Sequence, residues 1–194
     1  MRLASRGLSV KLCIGALAIG LVALALVWMA VPRGGPVLVG QVTRVVDGDT
    51  LDVQLSSGPI RVRLHGVDAP EKAQPHGKTA TATLTSLVLN KQVQVEPFEQ
   101  DRYERLIGIV YVGDLNVNAE LVSRGHAWAY RHYMRKADAA LCKLEADARS
   151  AKRGLWSARS DEIEAPWEWR NKKLKWVTDF GTETESDCVA AIGR

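Results

Sequence analysis

Val46-Asp47-Gly48-Asp49-Thr50-Leu51-Asp52-Val53-Gln54-Leu55, a Ser56-Ser57-Gly58-Pro59 break, and then Ile60-Arg61-Val62-Arg63-Leu64-His65 form the stretch on which the fold turns. Residues 37–46 and 51–55 are rich in Val and Leu, and the Asp47-Gly48-Asp49 between them is a turn signal of the kind that joins hairpin strands. In the third segment Ile60, Val62 and Leu64 alternate with Arg61, Arg63 and His65. Successive side chains on a strand point to opposite faces, so one face enters a core and the other presents cations.

Downstream, residues 77–89 carry Ala80, Leu84, Leu87 and Val88 at three- and four-residue spacing, which predicts a helix. Residues 92–96 and 106–112 read again as strands, and 117–124 as a short helix. A longer helix is predicted over 137–153, with Leu141, Leu144, Ala148 and Ala151 on one stripe, Cys142 beside it and Gly154 as its stop. Three strands, a helix, two strands and then helices is the order of a five-stranded OB-fold barrel with about three helices, an α+β fold dominated by its barrel. The domain is expected over 37–157, and a tail over 158–194 with little apolar periodicity is expected to pack on it.

The chain has 194 residues, enough for one domain with one core once its N-terminus is set aside. From Leu12 to Val31 no residue is charged, and about 20 apolar positions at roughly 1.5 Å each cover the hydrocarbon core of a bilayer. Three basic residues precede the run and one follows, so the positive-inside rule predicts a basic cytoplasmic segment (1–11), a membrane-spanning anchor (12–32), a linker (33–36) and a domain outside the cytoplasm. Cleavage of the same segment as a signal peptide is the alternative, with Trp28 poorly suited to a cleavage site; it exports the same domain as a secreted protein. Arg2, Arg6, Lys11 and Arg33 are the only charged residues in 1–36, and they account for the whole formal net charge of +4. The exported part is therefore neutral, and any polyanion must be bound by local clusters. Cys142 and Cys188 lie in that part, where an oxidising compartment permits them to pair; two unpaired thiols are the other reading.

Asp47-Gly48-Asp49-Thr50 sets two carboxylates about a glycine that suits a tight turn, and Asp68-Ala69-Pro70-Glu71 adds two more after the third strand. A hard divalent cation takes several oxygen ligands, which aspartates and backbone carbonyls on such turns supply. Asp and Gly also favour turns with no ligand at all. Arg63 precedes Asp68 by five residues, and Asp101-Arg102-Tyr103-Glu104-Arg105 introduces the last strand. Arginine forks hold phosphate through parallel hydrogen bonds.

Taken in order, Val46-Asp47-Gly48-Asp49-Thr50-Leu51, Arg61-Val62-Arg63-Leu64-His65-Gly66-Val67-Asp68-Ala69-Pro70-Glu71, Asp101-Arg102-Tyr103-Glu104-Arg105-Leu106 and Gly154-Leu155-Trp156 resemble the signatures of the staphylococcal nuclease (thermonuclease) family, over about residues 40–156. The resemblance implies an OB-fold barrel and a thermonuclease-like endonuclease that hydrolyses DNA and RNA with Ca²⁺ and leaves 3′-phosphate ends. By position it implies Asp49, Asp68 and the Ala69 carbonyl as calcium ligands, Arg63 and Arg105 as phosphate-binding catalytic residues, and Glu71 as general base. Tyr103 and Tyr133 match tyrosines lining the nucleotide pocket. One departure stands out: Glu104 occupies a position where the family commonly has glycine, and it is expected to point outward on an ordinary turn.

Other residues read more plainly. His65, His76, His126 and His132 show no metal-ligand spacing and are expected as surface or strand residues. Trp167 and Trp169, with Pro166 and Arg170, suit either packing of the tail or stacking on bases, and Lys172, Lys173 and Lys175 form a basic cluster open to phosphate or solvent. The competing function is a non-catalytic module that binds nucleic acid or protein on the same barrel; such modules lose the acids and arginines that stand here. No protein partner is inferred, and a monomer is expected.

Overall fold

A computed structural model describes residues 35–171 and 184–193. The anchor expected over 12–32 and the Lys172, Lys173 and Lys175 cluster lie outside the described residues, among which no helix is long and apolar enough to cross a membrane.

Five strands, β1 (Leu38–Val45), β2 (Thr50–Leu55), β3 (Gly58–Leu64), β5 (Gln92–Gln100) and β6 (Leu106–Val112), run in the order β3-β2-β1-β5-β6. A parallel pairing of β3 with β6, Val62 opposite Leu106 and Arg63 opposite Ile107, joins the two ends and closes the barrel. Closure removes the free edges that an open five-stranded sheet presents. The interior is aliphatic: Val42, Leu51, Val53, Val62, Leu64 and Val95 are fully buried or nearly so, from alternate positions along their strands. Pro97, which donates no ladder bond, sits where the β5–β6 register shifts, at a bulge between Pro97 and Glu99.

Helix α1 (Gly77–Val88) closes one end of the barrel with Ala80, Leu84, Leu87 and Val88, the residues its periodicity picked out. After β6 come a two-residue strand β7 (Leu115–Asn116) and α2 (Val117–Ser123), whose N-cap Asn116 accepts from the Ala119 amide. Helix α3 (Ala140–Ser150) is shorter than predicted. A 3-10 turn at Lys136–Asp138 precedes it, and Lys152 takes a left-handed conformation (φ 50) just after its end, with the Arg153 amide returning to the Ala148 carbonyl and Gly154 also left-handed (φ 55) two residues on. Its inner face is Cys142, Glu145 and Ala148, with Leu141 and Leu144 half-buried at the margins and Ala151 exposed. The apolar stripe was displaced because a buried ionic residue, Glu145, sits at its centre.

Two short strands were not legible beforehand. β4 (Val67–Asp68) and β8 (Trp128–Ala129) pair antiparallel, Val67 opposite Ala129 and Asp68 opposite Trp128. The tail supplies two more helices, α4 (Pro166–Arg170) and α5 (Glu185–Ala190), so five α-helices occur among the described residues where about three were expected. Trp167 of α4 is buried in a second cluster with Trp128 and Trp156, and Cys188 of α5 is joined to Cys142 of α3 by a disulfide. The tail thus packs on β8 and α3 through an aromatic wedge and a covalent bridge.

Candidate active site

The hairpin turn between β1 and β2 is built before any ligand enters. The Asp47 carboxylate accepts from the Asp49 amide, and the Asp49 carboxylate accepts from the Thr50 hydroxyl and from the Ala69 amide at 2.8 Å. Gly48 does not adopt a positive φ; its role is space, since a Cβ there would stand 2.6 Å from that of Ala69. The first acidic turn is thereby pressed against the second. Asp68, fully buried, is held in the β4–β8 bridge.

Between the two aspartates lies Arg63. Its Nη2 is 2.9 Å from Asp68 Oδ1 and 3.1 Å from Asp49 Oδ2, and its Nη1 donates to the carbonyls of Leu64 and Val67. One nitrogen thus marks the point on which both carboxylates converge. The expected phosphate fork is, in this state, a clamp on the acids. Glu71, one turn on, has its amide bound by the buried Gln74 side chain, and Gly77 lets α1 begin against the Glu71 carbonyl, where a Cβ would collide. Its own side chain is 38% exposed, facing outward enough to meet a solvent molecule.

A residue of the tail, beside the tryptophans suited to packing or base stacking, completes the cluster. Arg170, the last residue of α4, places Nη2 2.7 Å from Asp68 Oδ2 and Nη1 3.2 Å from Asp68 Oδ1 and 2.8 Å from Glu71 Oε1. It gets there because Trp167, on the same helix face three residues earlier, is wedged against Trp128, the strand partner of Asp68. Tyr130 stacks on Trp167 and feels the charges of Asp68 and Arg170, whereas the expected Tyr133 lies against Tyr130 and His132.

The electrostatics follow from burial. Desolvation pushes the Asp49 carboxyl up to about 7 against the pull of Arg63, with Asp47 and Asp68 adding to the rise. Asp68 is likewise raised by desolvation, opposed by Arg63 and Arg170. Taking charge out of water is costly, and two guanidiniums only partly compensate. Burial and the Asp68 charge also raise the Tyr130 phenol.

Arg105 is placed apart from this cluster. Its Nε and Nη2 are both 2.7 Å from Asp101 Oδ2, and it immediately precedes β6, the strand that pairs with β3 and so with Arg63. Tyr103 is 63% exposed beneath the guanidiniums of Arg102 and Arg105, and Tyr133 is 56% exposed against Tyr130 and His132. Glu104 does not lie on an ordinary turn: its φ is 62, the left-handed region that costs a non-glycine residue about 1 kcal/mol or more. Asp101 holds the strained loop by accepting from the Tyr103 and Arg105 amides, and Glu104 itself is exposed, as expected, without pairing to Arg105. Three histidines make specific contacts. His65 is buried, stacked on Phe98 and bonded to Asp138, while His76 Nε2 and His126 Nδ1 lie 2.8 Å apart with their ring centroids at 5.0 Å.

The family model described as "Staphylococcal nuclease homologue" matches residues 61–158. Among the relatives, a protein of Escherichia coli called ParB is 41% identical over 159 residues, 77% of this chain and 88% of its own length. An uncharacterized endonuclease of Escherichia coli O157:H7 is 46% identical over 69% of this chain and 86% of its own, and a micrococcal nuclease of Shigella flexneri 42% identical over 68% and 79%. The chain belongs to the staphylococcal nuclease family. Membership makes it a thermonuclease-like endonuclease, and the fold brings Asp49, Arg63 and Asp68 into one cluster. Among the described residues of this family member, no group of three or more His, Cys, Asp and Glu is arranged to hold a metal by itself. Two converging aspartates, completed by a carbonyl and water, are still a donor set of the all-oxygen kind that calcium accepts.

Proposed function

We propose that this nuclease is a calcium-dependent phosphodiesterase that cuts DNA, RNA or both and leaves 3′-phosphate ends, working outside the cytoplasm on an N-terminal membrane anchor. The observation that carries the calcium reading is the close approach of the Asp49 and Asp68 carboxylates, both buried, raised by desolvation and within 3.1 Å of the same Arg63 nitrogen. Two carboxylates that cannot cheaply stay charged side by side without a cation favour a divalent ion over water. Asp49, Asp68 and the Ala69 carbonyl would hold it. Bound there, Ca²⁺ supplies Lewis-acid polarisation of a phosphoryl oxygen and neutralises its growing charge.

Glu71, partly exposed at the mouth of the cluster, accepts a proton from the attacking water. Arg63 sits between the acids and the incoming phosphate, where its charge stabilises the pentacoordinate transition state. Arg105, held by Asp101 at the entrance of the strand that closes on β3, meets the phosphate from the other side. Departure of the 5′ oxygen leaves the phosphate on the 3′ side. The exposed rings of Tyr103 and Tyr133 offer stacking surfaces to the bases. The uncharged run from Leu12 to Val31 with its basic N-terminal flank supports export of the domain.

The test is cleavage of single-stranded DNA, duplex DNA and RNA by the full chain with Ca²⁺ or EGTA. We expect cutting only with Ca²⁺, 3′-phosphate ends, and about 10² to 10³ lower kcat for Glu71→Gln. Equal activity in EGTA overturns the calcium reading, and 5′-phosphate products overturn the proposed direction of cleavage. Failure to cut any substrate leaves the barrel as a non-catalytic binding module.

A further inference from the structure

Arg170 stands where a metal ligand set would have to open. Both lone-pair directions of Asp68 Oδ1 are taken, one by Arg63 Nη2 at 2.9 Å and one by Arg170 Nη1 at 3.2 Å, and Arg170 Nη2 holds Oδ2 at 2.7 Å. The same Arg170 Nη1 binds Glu71 Oε1 at 2.8 Å. Three of the roughly four acceptor sites of the Asp68 carboxylate are thus taken by guanidinium N–H groups, so a cation has to compete with them for its oxygens.

The two guanidiniums are not equally able to leave. Arg63 is 12% exposed and pinned by the Leu64 and Val67 carbonyls, which it would abandon at full desolvation cost. Arg170 is 38% exposed and ends its helix, so its fork can turn to water while Trp167 keeps α4 in place. The charge balance points the same way, because a divalent cation beside two guanidiniums meets like charge from both.

Building on the calcium reading above, we infer that Arg170 is an internal counter-ion that competes with the metal for Asp68 and Glu71 and must swing out for the site to load. It keeps the buried acids neutralised before loading, lowers the metal affinity of the resting enzyme, and occupies Oε1 of Glu71 until an ion arrives.

Calcium titrations of the full chain by calorimetry, without substrate, test this directly. Arg170→Gln, which removes the charge and the fork, is expected to bind Ca²⁺ about five- to tenfold more tightly than the unmodified chain, the factor that corresponds to loss of a part-exposed ion pair of about 1 kcal/mol. Arg170→Lys keeps the charge against Asp68, and so the fold, but cannot bridge both acids through a planar fork. It is expected to tighten binding by about two- to threefold, a readout that stands if Arg170→Gln fails to fold. Unchanged or weaker binding in the folded variants overturns the competition while leaving calcium dependence intact. Absence of calcium binding to the unmodified chain and the variants alike overturns both.

Discussion

Burial lowers the His126 imidazole to about 4, through desolvation first and then the neighbouring His76 and Arg124. The folded value lies below the ordinary 6.5, so between these limits the unfolded chain binds more protons than the native one. The resulting stability is fully present above pH 6.5 and is lost as pH falls toward 4. Discounting for partial exposure, the loss attributable to this ring is about 1 kcal/mol. Urea melts at pH 7 and pH 4.5 should therefore show a smaller acid loss for His126→Gln than for the parent, and equal losses would remove this ring as the cause. Other residues of the site were readable as letters but not as states. Asp49, Asp68, Glu71 and Arg63 stood out by type and order, yet nothing in their spacing revealed that Arg63 would clamp the acids.

At the scale of elements, strands whose apolar residues alternate were legible, because a two-residue period is written into neighbouring letters. Strand β6 matches its predicted limits, and α1 begins on the predicted residue. The two-residue strands β4 and β8 carry too few letters to show a period, although they hold Asp68. Helix α3 was misjudged at both ends, and its centre holds Glu145, 2% exposed, which accepts from the Ala129 amide at 2.7 Å and pairs with Arg131 and Arg149. Nothing in a helical stripe distinguishes a glutamate that faces water from one that binds a buried arginine. Glu145→Ala leaves the 2%-exposed Arg131 uncompensated and should cost about 3 to 5 kcal/mol. Denaturant unfolding checks it; a loss under 1 kcal/mol would show that the network contributes little.

Over the whole molecule, the Cys142–Cys188 bridge closes a loop of sequence separation 46 and returns the tail to α3. In the chain-entropy account it stabilises by about 2 to 4 kcal/mol, chiefly by restricting the unfolded chain. The Cys142→Ser/Cys188→Ser double variant should unfold at lower urea by that amount, and reductant should reproduce the shift in the parent; no shift in either would deny the bridge a stabilising role. The order of strands and helices, the acids on two turns and the arginine before the second of them were determined by the sequence alone, since each depends on residues near one another in the chain. What only the tertiary structure decided lies across long separations. Closure of β3 on β6, the His76–His126 pair and Arg170 seated on Asp68, 102 residues away, are of this kind. These contacts depend on where packing brings distant segments, and a tryptophan wedge that aims an arginine leaves no periodic mark on the chain that encodes it.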